Sequence, residues 1–549
     1  MSLHPAIFRS RHLAPFVLVL ISAAVAAAAY LHALGYPFIM DDIFYISKNQ
    51  RLAELPMIEL WRLFTRPYNT FSEFLPLRDL SYWFDMTLFG LNPAAFRLHN
   101  IILHLLCLPL VYATTLELWR YFRPADTASA PWAAAAVTSL FALHPTLVEP
   151  VMWISGRKYE LASLFSMLAL WFAIRARREH GISAPHAAAS LVVFAAMMFS
   201  KTSYVTMSPV IALLWLTFWR DAHASHRRRS QLLWPFAILL LAALLNLIFM
   251  ASKWGNTERM SYYFGIEAVQ RTLAVLGWMA RLAVSPEDRH FFYPVLEDAH
   301  LSAMIALGVA VLAAALAGTV IFLRKRSTEG FAIIIFFLLC MPYIQLIPFA
   351  PPSLVSDRWL ALAVWPAILL LVALSWRLKP VPRAILLLAI ALSWSFQTVV
   401  RPSDWRGSDI LIDSDIRAFP GHYMPAYEKI ITYQLPKGLN RDAMETANSI
   451  AFPEFRNIMI KLIKIDDAVT RAMNIGKTQE VMVLFWGILP DIKKRPEQVK
   501  WNGPANLFWR KIKQKLVEEL VDLDKNFPEG TPERSDFYWY LNALNEASR

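Results

Sequence analysis

Across residues 13–34 the chain carries no acidic residue, lysine or arginine, and apolar runs of this kind recur as far as residues 383–400. They constrain the fold more than any motif does, because about 20 apolar residues are what a helix needs to cross roughly 30 Å of hydrocarbon. Composition agrees: 56% of the 549 residues are hydrophobic and 17% are charged. That balance excludes an ordinary soluble domain and predicts an all-α polytopic membrane protein.

The net charge of +12 does not point to nucleic acid. The clusters RSR (9–11), RARR (175–178), HRRR (226–229), RKR (324–326) and RLKPVPR (377–383) each abut an apolar run, where they read as anchors of cytoplasmic helix ends. With the N-terminus inside, about eleven helices then alternate in direction. They lie near 13–34, 94–117, 132–150, 159–175, 187–200, 203–219, 234–250, 301–323, 331–348, 358–376 and 383–400. Residues 267–285 fall between two outer segments and read as an interfacial or re-entrant helix, the alternative being two short partly buried spans. The first run is too long for a cleavable leader and is expected to stay as an anchor. Cys107 and Cys340 both lie within apolar runs, so no disulfide framework or cysteine-based zinc site is expected.

Two stretches remain outside the membrane, both on the non-cytoplasmic side: a long loop at 35–93 and a tail at 405–549. The tail has ordinary charge density and amphipathic stretches such as FWRKIKQKLVEELVDL (508–523), which predict a small helical domain. HYMPAYEKIITYQL and DAMETANSI read as a worn helical pair, too degenerate to assign to a repeat class.

Polar residues crowded against the outer helix ends are the informative ones. Asp41 and Asp42 stand in PFIMDDIFYISKNQRL, Arg78, Asp79 and Tyr82 in LPLRDLSYWFD, and His144, Glu149, Arg157 and Lys158 in ALHPTLVEPVMWISGRKYE. Lys201 follows in FSKTSYVTMSP and Arg358 in SLVSDRWL. The topology brings all of them to one face. Lysines and arginines beside isolated carboxylates suit a phosphate-bearing substrate and a base that takes a proton from its reaction partner. Each residue also has a plainer reading: the aspartates as helix caps, Arg157 and Lys158 as snorkelling cations, His144 as a cap before Pro145, Glu149 as the partner of a nearby arginine. Lys201 resists that treatment, since an outer-face cation between two spans runs against the positive-inside pattern.

The ordered set of motifs resembles a known class. LPLRDLSYWFDMTLFGLNPAAFRLHNIILHLLCLPLVY, followed by LFALHPTLVEPVMWISGRKYELASLFSMLAL, resembles the multispanning glycosyltransferases of the GT-C class. The likeness is to the transmembrane and tetratricopeptide-repeat-containing O-mannosyltransferases and their bacterial relatives, and it covers roughly residues 13–405. It implies a membrane catalytic domain over 1–404, an extracytoplasmic helical domain over 405–549, and an inverting transfer of sugar from a polyprenyl-phosphate donor to a hydroxyl of an exported protein, such as a pilin. It further implies Asp41 or Asp42 as catalytic carboxylate with Glu149 in the same site, Arg157, Lys158, Lys201 and Arg358 at the donor phosphate, and His144, Arg78, Asp79 and Tyr82 at the substrate. The location implied is a bacterial inner membrane, with the active site periplasmic.

The chain departs from the pattern at Leu75, Arg97 and Lys158-Tyr159, around the presumed sugar and phosphate site, which leaves the donor sugar open. Other members of the class act on lipid A or on lipid-linked and cell-wall glycans, as aminoarabinose and arabinofuranosyl transferases do, so a glycolipid acceptor is the alternative. A carrier flippase or transporter is disfavoured, because the carboxylates gather in outer loops rather than at the bilayer midplane; a non-catalytic membrane scaffold is a further alternative. Asp41, Asp42, Glu149 and His144 carry donor atoms suited to a divalent ion, yet fixed cations already serve the phosphate, so no cofactor is expected as a requirement.

Overall fold

The computed structural model describes residues 5–69, 73–178, 181–221, 228–251, 265–285, 290–293, 301–345, 353–419, 423–450 and 453–475. The first apolar run forms α1 (Pro5–Leu31), and the loop after it carries a single α-helical turn, α2 (Gln50–Ala53), before α3 (Pro76–Phe89). Next come α4 (Pro93–Phe122), α5 (Ala130–Ala142), α6 (Val148–Met152), α7 (Arg157–Ala176), α8 (Ala184–Ser200), α9 (Met207–Asp221) and α10 (Arg228–Ala251). The second half holds α11 (Ile266–Val284), α12 (Leu301–Lys325), α13 (Thr328–Cys340), α14 (Val364–Ser375) and α15 (Pro380–Val400). The tail adds α16 (Ser408–Ala418), α17 (Tyr423–Lys429), α18 (Asn440–Asn448) and α19 (Pro453–Ile475).

Proline and asparagine set several helix starts. Asn92 accepts a hydrogen bond from Ala94 N–H at the head of α4, with Pro93 in the first position, where its missing N–H costs nothing. Among the described residues, six helices are long and apolar enough to cross a membrane, or seven if the bent pair over Pro124–Ala142 and Pro145–Met152 is one span. Fewer than eleven reach that length because polar breaks interrupt the runs. α8 stops before Lys201, and α14 starts only after the turn Asp357–Leu360. In place of two short spans, α11 is one unbroken helix. It crosses α12 so closely that a Cβ on Gly277 would lie 2.0 Å from the Met304 carbonyl oxygen, and one on Gly308 1.9 Å from that of Leu273. Only glycine permits such a crossing.

The core lies between α4 and its neighbours α1, α5 and α7, with α8, α13 and α14 packed around them. Trp119, Trp215 and Trp365 are fully buried within it. The helices separate two clusters of charged residues. α7 has Arg157 and Lys158 at its start and Arg175 in its last turn, about 25 Å apart at 1.5 Å per residue.

The described part of the tail is helical, and α16 fastens it to the bundle. The Asp415 carboxylate accepts hydrogen bonds from the N–H groups of Phe291 and Phe292 (3.2 and 2.8 Å) and faces His290 Nδ1 at 3.2 Å. The stretch 508–523 lies outside the described residues.

Candidate functional site

The loop after α1 is bound down from several sides. Arg97, buried on α4, donates from its guanidinium to the carbonyls of Leu34, Tyr36 and Pro37, and from Nε to that of Met152. Met40 is thereby held in the left-handed region at φ 54°, which a bulky residue adopts only under constraint and which often marks functional sites. Asp41 and Asp42 follow directly, and the turn gives them opposite fates.

Asp42 is fully enclosed, and its carboxylate accepts from Ser155 N–H (2.7 Å), Ser155 Oγ–H (2.5 Å) and Ile39 N–H (3.3 Å). Burial pushes its carboxyl up from the ordinary 3.8 to about 6, against the pull of Ser155 and Arg97. Asp41 is only half-buried, and among the described residues its carboxylate has no hydrogen bond or ion pair. It stays within electrostatic reach of Tyr45 and Arg358.

The raised carboxyl of Asp42 has a measurable consequence. The folded chain binds this proton more tightly than the unfolded one, so the contribution is fully present below about pH 4 and is lost as pH rises to about 6, on the order of 3 kcal/mol. Thermal unfolding followed across that window is expected to flatten in Asp42→Asn; an unchanged slope contradicts the assignment.

Glu73, which motif reading passed over, organises the second half of the site. Its carboxylate takes Arg78, Lys158 Nζ at 3.1 Å and Lys201 Nζ at 3.5 Å, and accepts from the Tyr45 hydroxyl at 2.9 Å. Burial opposes its ionisation, but Lys158, Arg78 and Lys201 together hold its carboxyl well below the usual range. Arg78 also pairs with Asp79 at 2.7 Å and lies 4.4 Å from the Tyr45 ring centroid. Three cations thus meet two carboxylates, and one positive charge is left over. Removing the hub in Glu73→Gln is expected to cost about 1–3 kcal/mol, and added polyprenyl phosphate is expected to restore part of the lost melting temperature. Equal losses with and without that lipid contradict its role as counter-ion.

On the other flank, Arg358 pairs with the buried Glu149 and lies 5.0 Å from the ring centroids of both Trp153 and Phe291. Glu149 Oε2 is buried with no hydrogen-bond partner among the described residues. Tyr159 joins the flanks: Lys201 Nζ is 5.2 Å from its ring centroid, and Lys158, Arg358, Glu73 and Glu149 all act on it electrostatically. Asp41, Glu73, Lys158, Lys201, Arg358 and Glu149 therefore share one neighbourhood.

Three expected site residues are engaged by contacts within the fold. Arg157 has 0% exposure; it pairs with Asp85 at 2.5 Å and donates to Asn100 Oδ1 (2.8 Å), Phe96 O (2.7 Å) and Ser81 O (3.2 Å). Tyr82 donates its hydroxyl to Ile154 O at 3.1 Å. His144 is buried against Trp394, accepts from Thr146 N–H through Nδ1 and has Nε2 3.2 Å from Ala283 O. The Arg157 and Tyr82 contacts fix the turn 153–157, where a Cβ on Gly156 would come within 2.5 Å of the Pro150 carbonyl oxygen. No three His, Cys, Asp or Glu side chains come together as metal ligands among the described residues.

No family model matches the chain. It is similar to curated proteins named protein O-mannosyl-transferases. Mouse TMTC2 is 32% identical over 171 residues, 30% of this chain and 19% of the relative. Human TMTC4 is 27% identical over 219 residues, 37% and 29% of the two chains, and human TMTC1 is 29% identical over 167 residues, 29% and 18%. The matches thus span less than a third of those relatives' length. Animal relatives overturn the expectation of a bacterial inner membrane with a periplasmic site. Hydrophobic span and positive-inside bias are common to all such bilayers, so the residues that predicted a membrane held nothing to identify which one.

Proposed function

We propose that the chain is an inverting glycosyltransferase that moves a sugar from a polyprenyl-phosphate carrier to a hydroxyl of a protein, on the face opposite the basic clusters. The observation that carries the reading is the unengaged carboxylate of Asp41 beside a cation cluster with one charge to spare. A glycosyl phosphodiester carries a single negative charge, which Lys158 and Lys201 can face while Asp41 faces the acceptor. The similarity to protein O-mannosyl-transferases supports the same chemistry.

In the reaction, Asp41 takes the proton of the acceptor hydroxyl as its oxygen bonds to the anomeric carbon. The bond from that carbon to the phosphate oxygen breaks, and its electron pair leaves with the carrier phosphate. Lys158, Lys201 and Arg358 stabilise the charge that gathers there. Glu149 holds Arg358 in position, and Asp42 holds the loop through Ser155. A single displacement inverts the sugar, and no covalent intermediate is needed.

The tail, in this reading, orients the protein acceptor. Its support is a short chain of contacts: Asp415 grips the backbone of Phe291, whose ring packs on Arg358. The function is tested by incubating the purified chain with a panel of polyprenyl-phosphate sugars and serine- or threonine-bearing polypeptides. A mass shift of one hexose or related sugar on the polypeptide is expected. Label found only in lipid, with every donor tried, overturns the protein acceptor.

A further inference from the structure

At the far ends of α4, α7, α8 and α9 the helices border an open cavity of ≈ 690 Å³, lined in part by Arg120, Tyr121, Arg175, Arg177 and Phe218. It lies about 30 Å from the candidate site, the length of α4 from Asn100 to Arg120 at 1.5 Å per residue. Among the described residues three arginines line it against one carboxylate, Glu117, which reaches Arg175 only at 3.7 Å. Arg177 is exposed but lies 4.8 Å from the ring centroids of both Tyr121 and Phe218, which orient its guanidinium. Arg326, at the end of α12, adds its field on Tyr121.

Cations that only anchor helix ends need no cavity and no aromatic clamp. Like charges gathered around a space of this size repel one another, and an anion entering it relieves that repulsion. We infer that this cavity binds the phosphate-bearing headgroup of an anionic membrane lipid. Guanidinium groups suit phosphate oxygens, and basic pockets between spans on the cytoplasmic side are where such headgroups bind. Leu118, Ile174 and Phe218 give the cavity an apolar wall, which suits the glycerol and first methylenes of a lipid and offers nothing to a free phosphate ion.

The test is an equilibrium titration of the full chain in neutral detergent with dihexanoyl phosphatidic acid and, separately, with inorganic phosphate. Saturable binding of the lipid probe is expected, about tenfold weaker in Arg120→Gln and tighter in Glu117→Gln. Misfolding cannot produce the tightening. Inorganic phosphate is expected to bind at least tenfold more weakly than the lipid. Affinities unmoved by both substitutions overturn the site, and inorganic phosphate binding as tightly as the lipid overturns the lipid as its ligand.

Discussion

Asp41→Asn is expected to lower sugar transfer by about 10²- to 10⁴-fold, the range that general-base catalysis supplies, while leaving the melting temperature unchanged. The amide keeps the size of the side chain and loses only its ability to take a proton. Little in the fold leans on that carboxylate, since it has no hydrogen bond or ion pair among the described residues. Asp42→Asn is expected to do the reverse. It disturbs a buried carboxylate with three hydrogen-bond donors around it, so stability changes first and activity falls only as the loop loosens. A neighbouring pair of aspartates thus yields two different phenotypes, separable by running kinetics and thermal unfolding on the same samples.

The largest loss of stability is expected at Arg157. Substitution by Gln strands Asp85 in the interior, where among the described residues only His99 Nδ1, at 2.9 Å, remains beside it, and strips donors from the Phe96 and Ser81 carbonyls and the Asn100 side chain. Breaking a buried pair by removing one partner costs about 3–5 kcal/mol, enough to unfold a marginal protein. Lys158→Gln, one residue on, is expected to fold and to weaken binding of polyprenyl phosphate instead. If Arg157→Gln folds normally and only weakens donor binding, Arg157 belongs to the phosphate site and the division of labour drawn here fails.

That contrast marks where sequence reading reaches its limit. Apolar runs foretold the helices, and the alternation of direction brought Lys158, Lys201, Arg358 and Glu149 to one end of the bundle. Adjacent helical residues, however, are turned about 100° from each other, so Arg157 faces the interior while Lys158 faces Glu73. No local pattern distinguishes them. Glu73 was illegible for a different reason: a single glutamate in a polar loop looks like any solvated residue until the fold brings Lys158 and Lys201 to it. Arg97 stood out only as a departure from a family pattern, and its role became visible through the carbonyls it gathers from the loop before Asp41.

The central claim is that a lipid-linked sugar passes to a protein hydroxyl with Asp41 as base. Its most direct measurement is transfer of labelled sugar from polyprenyl phosphate to a protein acceptor by the purified full chain, with the anomeric configuration of the product read by NMR and Asp41→Asn run beside it. The account predicts an inverted product from the wild-type chain and almost none from the variant. A retained configuration, or equal rates from the two proteins, contradicts it.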